Sequence, residues 1–575
     1  MSDGALIARV VPDVTGLDKQ FDYLVPDAMR STVRVGAVVR VPLGPRKVRA
    51  WVVELLSTSD IETLKPIVSW SGIGPEPELV DLAGWAAHRW CGRLRPFLLA
   101  ASAPTLVKRS VVAPAAQVLA PPPSSLLPHG GVLRIPPCTD PLEAIGPLLS
   151  RGPLLVVHPD AEFSAVLAAR LRGMGRRVAL LPRDWAIAAG GVDVAIGPRS
   201  AVWGPCAGLA GIVVLDEHDE ALQDERSPTW HARDVALERA RRAGTPCWLV
   251  SPTPTLEALT WAQDRVAAPS RVTERNGWPF VEVVDRNADE QPTSSPVTRA
   301  LLDVCRDPAQ RVVCVLNTKG RSRRLVCGSC KQLVVCASCK AGVAQRSDGT
   351  LDCARCGATR PALCNTCGST RLVGVGVGTA RFRDELQAAL RRPVVEITGD
   401  STATAVETAP GNAVFIGTEA VLHRVTSAST VVFVEFDDEL LAPRFRAAEE
   451  ALTLVIRAAR LVGLRASGGR VLLQTHMPRH EVVLAAQHAD PSRLIAPERE
   501  RRSQLRLPPV SALASVTGTN AAEWLHPTPR ELEVSGPSQG TWLVRAVNWQ
   551  VLGDGLALLG AKPRGVRVEV DPHRV

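Results

Sequence analysis

The chain has 575 residues, 46% of them hydrophobic, and a formal net charge of +9, ample for about three to five domains with real cores. Met1-Ser-Asp-Gly opens without a basic or apolar leader pattern, and no apolar run approaches the ~18 residues of a membrane span. A soluble, cytoplasmic protein with no membrane partner is expected.

Residues 1–105 begin with alternating apolar positions (Leu6, Ala8, Val10), followed by Phe21-Asp22-Tyr23, Val35 to Pro42 and Arg49 to Glu54. This is β-branched, period-two strand chemistry, with a helix predicted from Pro77 to Cys91. An aspartate wedged between two aromatic residues can accept a hydrogen bond from a hydroxyl while the rings stack on a base; the plainer reading is a strand with one solvated aspartate. Residues 106–131 are rich in Pro, Ala and Ser and read as a linker.

From Val132 to about residue 270, short apolar runs (Leu154 to His158, Arg177 to Leu181, Val192 to Ile196, Ile212 to Asp216, Pro246 to Ser251) alternate with helical patterns, which predicts a parallel sheet covered on both faces. A second such pattern is read over 271–324 and 372–488, through Val312 to Leu316, Val394 to Ile397, Val414 to Gly417, Thr430 to Glu435 and Val471 to Gln474. A cysteine-rich segment, 325–371, interrupts it after its first strand. Residues 489–575 read as a small α/β or β-rich domain.

The interrupting segment holds eight of the fourteen cysteines in four C-x-x-C pairs: Cys327/Cys330, Cys336/Cys339, Cys353/Cys356 and Cys364/Cys367. Two cysteines so spaced bring both sulfurs to one metal from a single turn, and a second pair closes the tetrahedron. Zinc tolerates four thiolates without redox chemistry, and nothing in the chain suggests the export that disulfides would require. The inner pairs flank a hairpin (Val343 to Gln345, a turn at Ser347-Asp348-Gly349, then Leu351), so the expected pairing is Cys336, Cys339, Cys353 and Cys356 around one Zn2+ and Cys327, Cys330, Cys364 and Cys367 around another. Four-thiolate sites leave no open position for catalysis, which makes both structural. The six scattered cysteines (Cys91, Cys138, Cys206, Cys247, Cys305, Cys314) read as buried thiols.

Lys319 to Arg371 carries ten basic residues against only Asp348 and Asp352. Two four-thiolate zinc sites at about −2 each would leave a surplus of roughly +4, compatible with a nucleic-acid surface or with a merely solubilising face.

Two tandem α/β lobes, with Asp216-Glu217-His218 ending a strand of the first, are similar to a superfamily-2 helicase motor. The whole layout resembles the primosomal protein N-prime (PriA) family of replication-restart helicases. The matching pieces run in family order: Phe21-Asp22-Tyr23, Ile196 to Ala201, Val214 to Asp219, Trp230 to Asp234, Ser251 to Pro254, Asn317-Thr-Lys-Gly320, the eight cysteines, Gly376 to Thr379, Phe415 to Thr418, Leu473 to His476 and Arg506 to Pro509. The resemblance implies a β-rich 3′-end DNA-binding domain over 1–105, two RecA-like lobes, a two-zinc module and a C-terminal domain. It also implies that Asp22, with Phe21 and Tyr23, receives a nascent 3′-hydroxyl while Gly36 lies in the strand facing the terminal base. Arg321, Arg323, Arg324 and Lys331 would place the zinc module against single strands or partner proteins. The family has a winged helix where this chain has residues 106–131.

The motor departs from the family. A phosphate-binding loop needs G-x-x-x-x-G-K-[ST], whose backbone N–H groups cradle phosphates and whose lysine neutralises them. No Gly-Lys dipeptide occurs in the chain, and Pro136-Pro-Cys-Thr-Asp-Pro141 stands where the loop belongs: prolines lack N–H groups and Asp140 repels phosphate. The family's D-E-E-H-D is one residue short, at Asp216 to Asp219, which leaves Asp216, Glu217 and His218 as a remnant. Its Q-x-x-G-R-x-x-R aligns with Arg457-Ala-Ala-Arg-Leu-Val-Gly-Leu464, so leucines occupy both arginine-finger positions. An arginine finger alone is worth about 10³ to 10⁵ in rate, so ATP and Mg2+ are not expected as cofactors. Arg457 and Arg460 are expected on a solvated helix face.

The sequence therefore predicts a protein that is not an enzyme: it binds branched and single-stranded DNA at stalled forks and assembles primosome and replication proteins without ATP-driven unwinding. An active ATP-dependent 3′-5′ helicase with a divergent cradle, and a zinc-ribbon interaction scaffold without DNA binding, are the two alternatives.

Overall fold

The computed structural model describes residues 6–109, 127–288, 295–317, 324–346, 348–375, 378–399, 401 and 406–573. The linker expectation falls mainly on 110–126, outside the described residues, as do Lys319, Arg321, Arg323 and Ser347. No helix among the described residues is long and apolar enough to cross a membrane.

The period-two pattern at the start of the chain builds a five-stranded antiparallel sheet in the order Phe21–Leu24, Ile7–Pro12, Arg46–Leu56, Val38–Leu43, Ser69–Gly72. Alternation sends Ala8, Val10, Tyr23, Val39 and Val41 to one face, which closes its own core. Val11, Val38 and Trp51 on the other face pack with the helices Pro77–Arg89 and Leu94–Ala101.

The first parallel sheet has seven strands in the order Val266–Ala267, Gly131–Arg134, Cys247–Ser251, Gly211–Leu215, Leu154–Val157, Val194–Gly197, Val178–Leu180. Its central strands are apolar throughout because helices cover both faces. The second has six strands in the order Phe280–Asp285, Arg470–Thr475, Thr430–Phe433, Val312–Val315, Val414–Gly417, Val394–Ile397, all parallel. Phe280–Asp285 corrects the sequence reading: it is an additional first strand, so the cysteine segment follows the second strand of this lobe. Its FVEVVD sequence is only half-buried at a sheet edge, and the continuous apolar signature of the other strands is missing there.

The C-terminal sheet is antiparallel, in the order Glu533–Ser538, Thr541–Ala546, Ala512–Thr517, Arg567–Val570, and the charged run becomes the helix Ile495–Gln504. One apolar core runs through the N-terminal sheet, the first parallel sheet and the C-terminal sheet. The second lobe closes its own cores, and among the described residues no cluster of buried apolar side chains draws on both parallel sheets.

Candidate functional site

The cleft between the lobes is bounded on one side by the loop after Gly131–Arg134 and by the Asp216 turn after Gly211–Leu215. Pro136, Pro137 and Pro141 have no N–H to offer. The Cys138 N–H donates to the Gly277 carbonyl at 3.2 Å, that of Thr139 to Pro136 O at 3.1 Å, and that of Leu142 to Asp140 Oδ1 at 3.0 Å. No fan of free N–H groups is left for an anion. Asp140 is also held by Arg170, whose Nη1 lies 3.0 Å from Oδ1.

Asp216 has φ +50°, a left-handed conformation that aspartate tolerates better than most residues, and its carboxylate is met by a cation from the other lobe. Arg460 donates from Nη1 to Oδ2 at 2.5 Å and from Nη2 to Oδ1 at 2.6 Å, a two-pronged pair. Its Nε donates to Pro137 O at 3.0 Å, so the loop presents an acceptor to the cleft where a phosphate cradle presents donors. One turn earlier, Arg457 Nη2 lies 3.0 Å from Asp219 Oδ2. These two arginines were expected on a solvated helix face; the structure corrects that for Arg457, whose side chain is 16% exposed, while Arg460 stays 34% exposed, and the carboxylates of the acidic turn draw both across the cleft. Burial raises the Asp216 pKa, but Arg460 and the His158 ring at 3.2 Å outweigh it and hold the group well below the usual carboxylate range.

Glu217 is fully buried and faces away from the cleft, accepting from Arg233 Nη1 at 2.9 Å, Thr255 N at 3.1 Å and Thr255 Oγ1 at 2.5 Å. His218 Nδ1 lies 2.9 Å from Ser251 Oγ, and burial lowers its pKa below the ordinary value. The Asp216-Glu217-His218 remnant is thus distributed over three separate networks.

The eight clustered thiols form the expected two groups, Cys327/Cys330/Cys364/Cys367 and Cys336/Cys339/Cys353/Cys356, each with its sulfurs within 4.8 Å of one another. Neighbouring sulfurs lie 3.5–3.6 Å apart, close to the about 3.8 Å edge of a tetrahedron with 2.3 Å metal–sulfur bonds. Backbone N–H donation at Cys330 leads the interactions that hold Cys327 down to about 6, and the Cys339 thiol holds Cys353 down to about 5, so each cluster contains a thiol poised to ionise for a metal ion. The ribbon strands Ala344–Gln345, Thr350–Asp352 and Thr359–Pro361 support the inner group. The inner knuckles dock on the second lobe: Arg355 Nη2 donates to Ala442 O at 2.7 Å and the Gly342 N–H to Leu441 O at 3.0 Å. The exposed Lys331 stands beside the outer group, its Nζ 3.3 Å from Gly328 O.

In the N-terminal sheet, period two separates the Phe21-Asp22-Tyr23 trio. Tyr23 is 5% exposed and donates its hydroxyl to Pro42 O at 2.7 Å, so the expected stacking role is corrected for this ring: it is spent on the core. Asp22 points to the other face, where Arg9 Nε lies 2.9 Å and Ser59 Oγ 2.8 Å from its carboxylate. Burial raises Asp22, but these partners hold it below its ordinary value. Gly36 lies in the turn before Val38–Leu43, not in the strand, at φ +86° with the Pro75 carbonyl 1.7 Å from where a Cβ would stand; close backbone packing alone requires glycine there. Arg9 and Ser59 escaped the sequence reading because their only signal is the fold that brings them to Asp22.

A chain with this N-terminal sheet, two parallel α/β lobes and an inserted double thiol cluster is a multidomain α/β protein. Residues 9–102 match the PriA 3′ DNA-binding domain family. Replication restart protein PriA of Bacillus subtilis is 27% identical over 411 residues, covering 65% of this chain and 51% of that protein. The probable replication restart protein PriA of Mycobacterium bovis is 28% identical over 576 residues, covering 88% and 85%. The chain is thus similar to replication restart proteins of the PriA family over most of its length. It spans about half the length of several curated relatives it matches. A DEAD box protein from Methanococcus jannaschii aligns with 66% of this chain and 87% of its own at 10% identity and a TM-score of 0.31.

Proposed function

We propose that this protein is a replication-restart factor that binds branched DNA and serves as a platform for replication proteins without ATP-driven unwinding. The observation that carries this reading is the loop Pro136–Pro141, which gives the cleft a carbonyl from Pro137 and no set of free N–H groups. A nucleotide's phosphates bring three or more negative oxygens that need donors and cations; here the nearby guanidinium already belongs to Asp216. The DNA-binding half of the reading comes from the 3′ DNA-binding domain match and from the relatives named as replication restart proteins. Asp22, with Phe21 beside it, is the proposed acceptor for a 3′-terminal nucleotide, which would compete with Arg9 and Ser59 for the carboxylate. The two thiol clusters are proposed to hold two Zn2+ ions as structural staples, and their basic surroundings to face single-stranded DNA or a protein partner.

Two measurements on the purified chain test this. DNA-stimulated ATP hydrolysis is expected to stay at background, and turnover that vanishes in Asp216→Ala would overturn the silent-motor reading. Anisotropy titration with a fork carrying a 3′-OH at the junction is expected to give salt-dependent binding that weakens several-fold in Asp22→Ala; no binding at low salt favours a protein scaffold without a DNA role.

A further inference from the structure

The helix Ala447–Val462 of the second lobe crosses the interface and is bonded to the first lobe at both ends. At its C-terminal end stand the Arg457–Asp219 and Arg460–Asp216 pairs, with the Cys138 thiol donating to Ala459 O at 3.4 Å. About 20 Å away, the residue just before its first turn, Arg446, makes a two-pronged pair with Glu257 of the first lobe, Nη2 to Oε1 at 2.5 Å and Nη1 to Oε2 at 3.1 Å. Glu449 in that turn accepts from the Leu256 N–H at 3.2 Å. Arg502, from the helix Ile495–Gln504, is fully buried there and joins Glu257, Glu498 and Glu449.

We infer that this doubly anchored helix is a built-in latch: Arg457 and Arg460 stand in for nucleotide as the charged material in the cleft, fixing the two lobes in one closed arrangement whatever the nucleotide supply. Two observations favour a latch over incidental surface pairing. The carboxylates at both ends are buried or nearly so, and of the paired guanidiniums only that of Arg460 keeps about a third of its side chain (34%) in solvent, so most of these ion pairs are weakly screened. No apolar cluster among the described residues draws on both parallel sheets, so these ion pairs are a principal tie between them. A motor lobe that must open and close with each nucleotide cannot keep such bonds; a platform that must hold separate DNA-contacting surfaces at fixed spacing gains from them, because pre-set geometry raises the effective concentration of the second contact. The DNA consequence rests on the platform reading; the latch does not.

Hydrogen exchange on the full chain tests the latch. In Arg457→Ala/Arg460→Ala, exchange in the facing segments 136–142, 216–220 and 457–463 is expected to rise at least about tenfold, while strands Val194–Gly197 and Val414–Gly417 keep their protection. Mg–ATP is expected to change nothing in the unmodified protein. Unaltered exchange in the facing segments, or closure induced by Mg–ATP, would overturn the latch; Arg460→Gln, which keeps the side chain's bulk, serves if the double variant does not fold. In the same variant, affinity for a fork is expected to drop about tenfold while affinity for a short 3′-ended oligonucleotide holds, and equal fork affinity would remove the DNA consequence. Failure of the unmodified protein to bind a fork at all overturns the platform reading and leaves the exchange result to judge the latch alone.

Discussion

The thiol module and the interlobe cleft use the same physics, buried charge matched by opposite charge, at opposite sequence ranges. In the module the two cysteines of each pair are three positions apart and all ligands of a cluster lie within 40 positions of one another. In the cleft, Asp216 and Arg460 are 244 positions apart and Asp219 and Arg457 are 238 apart. Local spacing writes its chemistry into the sequence, whereas pairing across lobes exists only once two sheets have formed. The module's thiolates would be matched by the metal ions they are proposed to hold, while the cleft's charges match each other.

The largest expected effect separates the two regions. A strong chelator, or Cys353→Ala, should unfold the inner ribbon, since metal binding in such small sites supplies about 10 kcal/mol or more of folding free energy. Metal analysis should fall from two ions per chain to one in the variant, and a count of one in the unmodified protein would sink the two-site pairing. The interface should respond less: Glu257→Ala leaves Arg446 and the fully buried Arg502 short of a partner, a loss of about 3–5 kcal/mol readable by denaturant unfolding with metal content unchanged. If metal is lost together with the interface, the two regions are not separable. The smallest effect concerns pH. Burial pushes Glu450, in the first turn of the latch helix, up to about 7. A carboxyl raised on folding contributes most below its unfolded value near 4.5 and loses that contribution as pH rises through about 7. Glu450→Gln should therefore flatten the stability profile between those values and exceed the parent above pH 7 by about 1–3 kcal/mol; an unchanged profile would show that Glu450 is already ionised in the folded state.

The same contrast explains what could be read from the chain. Apolar runs such as Ile212 to Leu215 announced parallel strands because burial on both faces demands them, and the cysteine pairing followed from spacing. The proline loop was legible as a missing cradle because proline's lack of an N–H is a property of one residue. Phe280–Asp285 was missed because a half-buried edge strand carries polar residues. Strand alternation, visible at Leu6, Ala8 and Val10, also sets Tyr23 on the core face opposite Asp22, and the sequence reading had not applied it there. Arg457 and Arg460 could not be assigned: a pair one turn apart looks alike in solvent and in a cleft until the facing carboxylates are known.

The edge position of Phe280–Asp285 also has a consequence for how the chain is made. Its sheet partner is Arg470–Thr475, which enters the sheet last, between it and Thr430–Phe433. At ribosomal rates of about 5–20 residues per second, Phe280 waits roughly ten to forty seconds for Arg470. During that interval all eight clustered cysteines have already been made, so a metal-loaded module can stand as a finished island inside a lobe whose sheet is still open. If the clusters hold metal as proposed, a nascent chain starved of metal exposes two unfinished structures at once, the open sheet edge and the unfolded module.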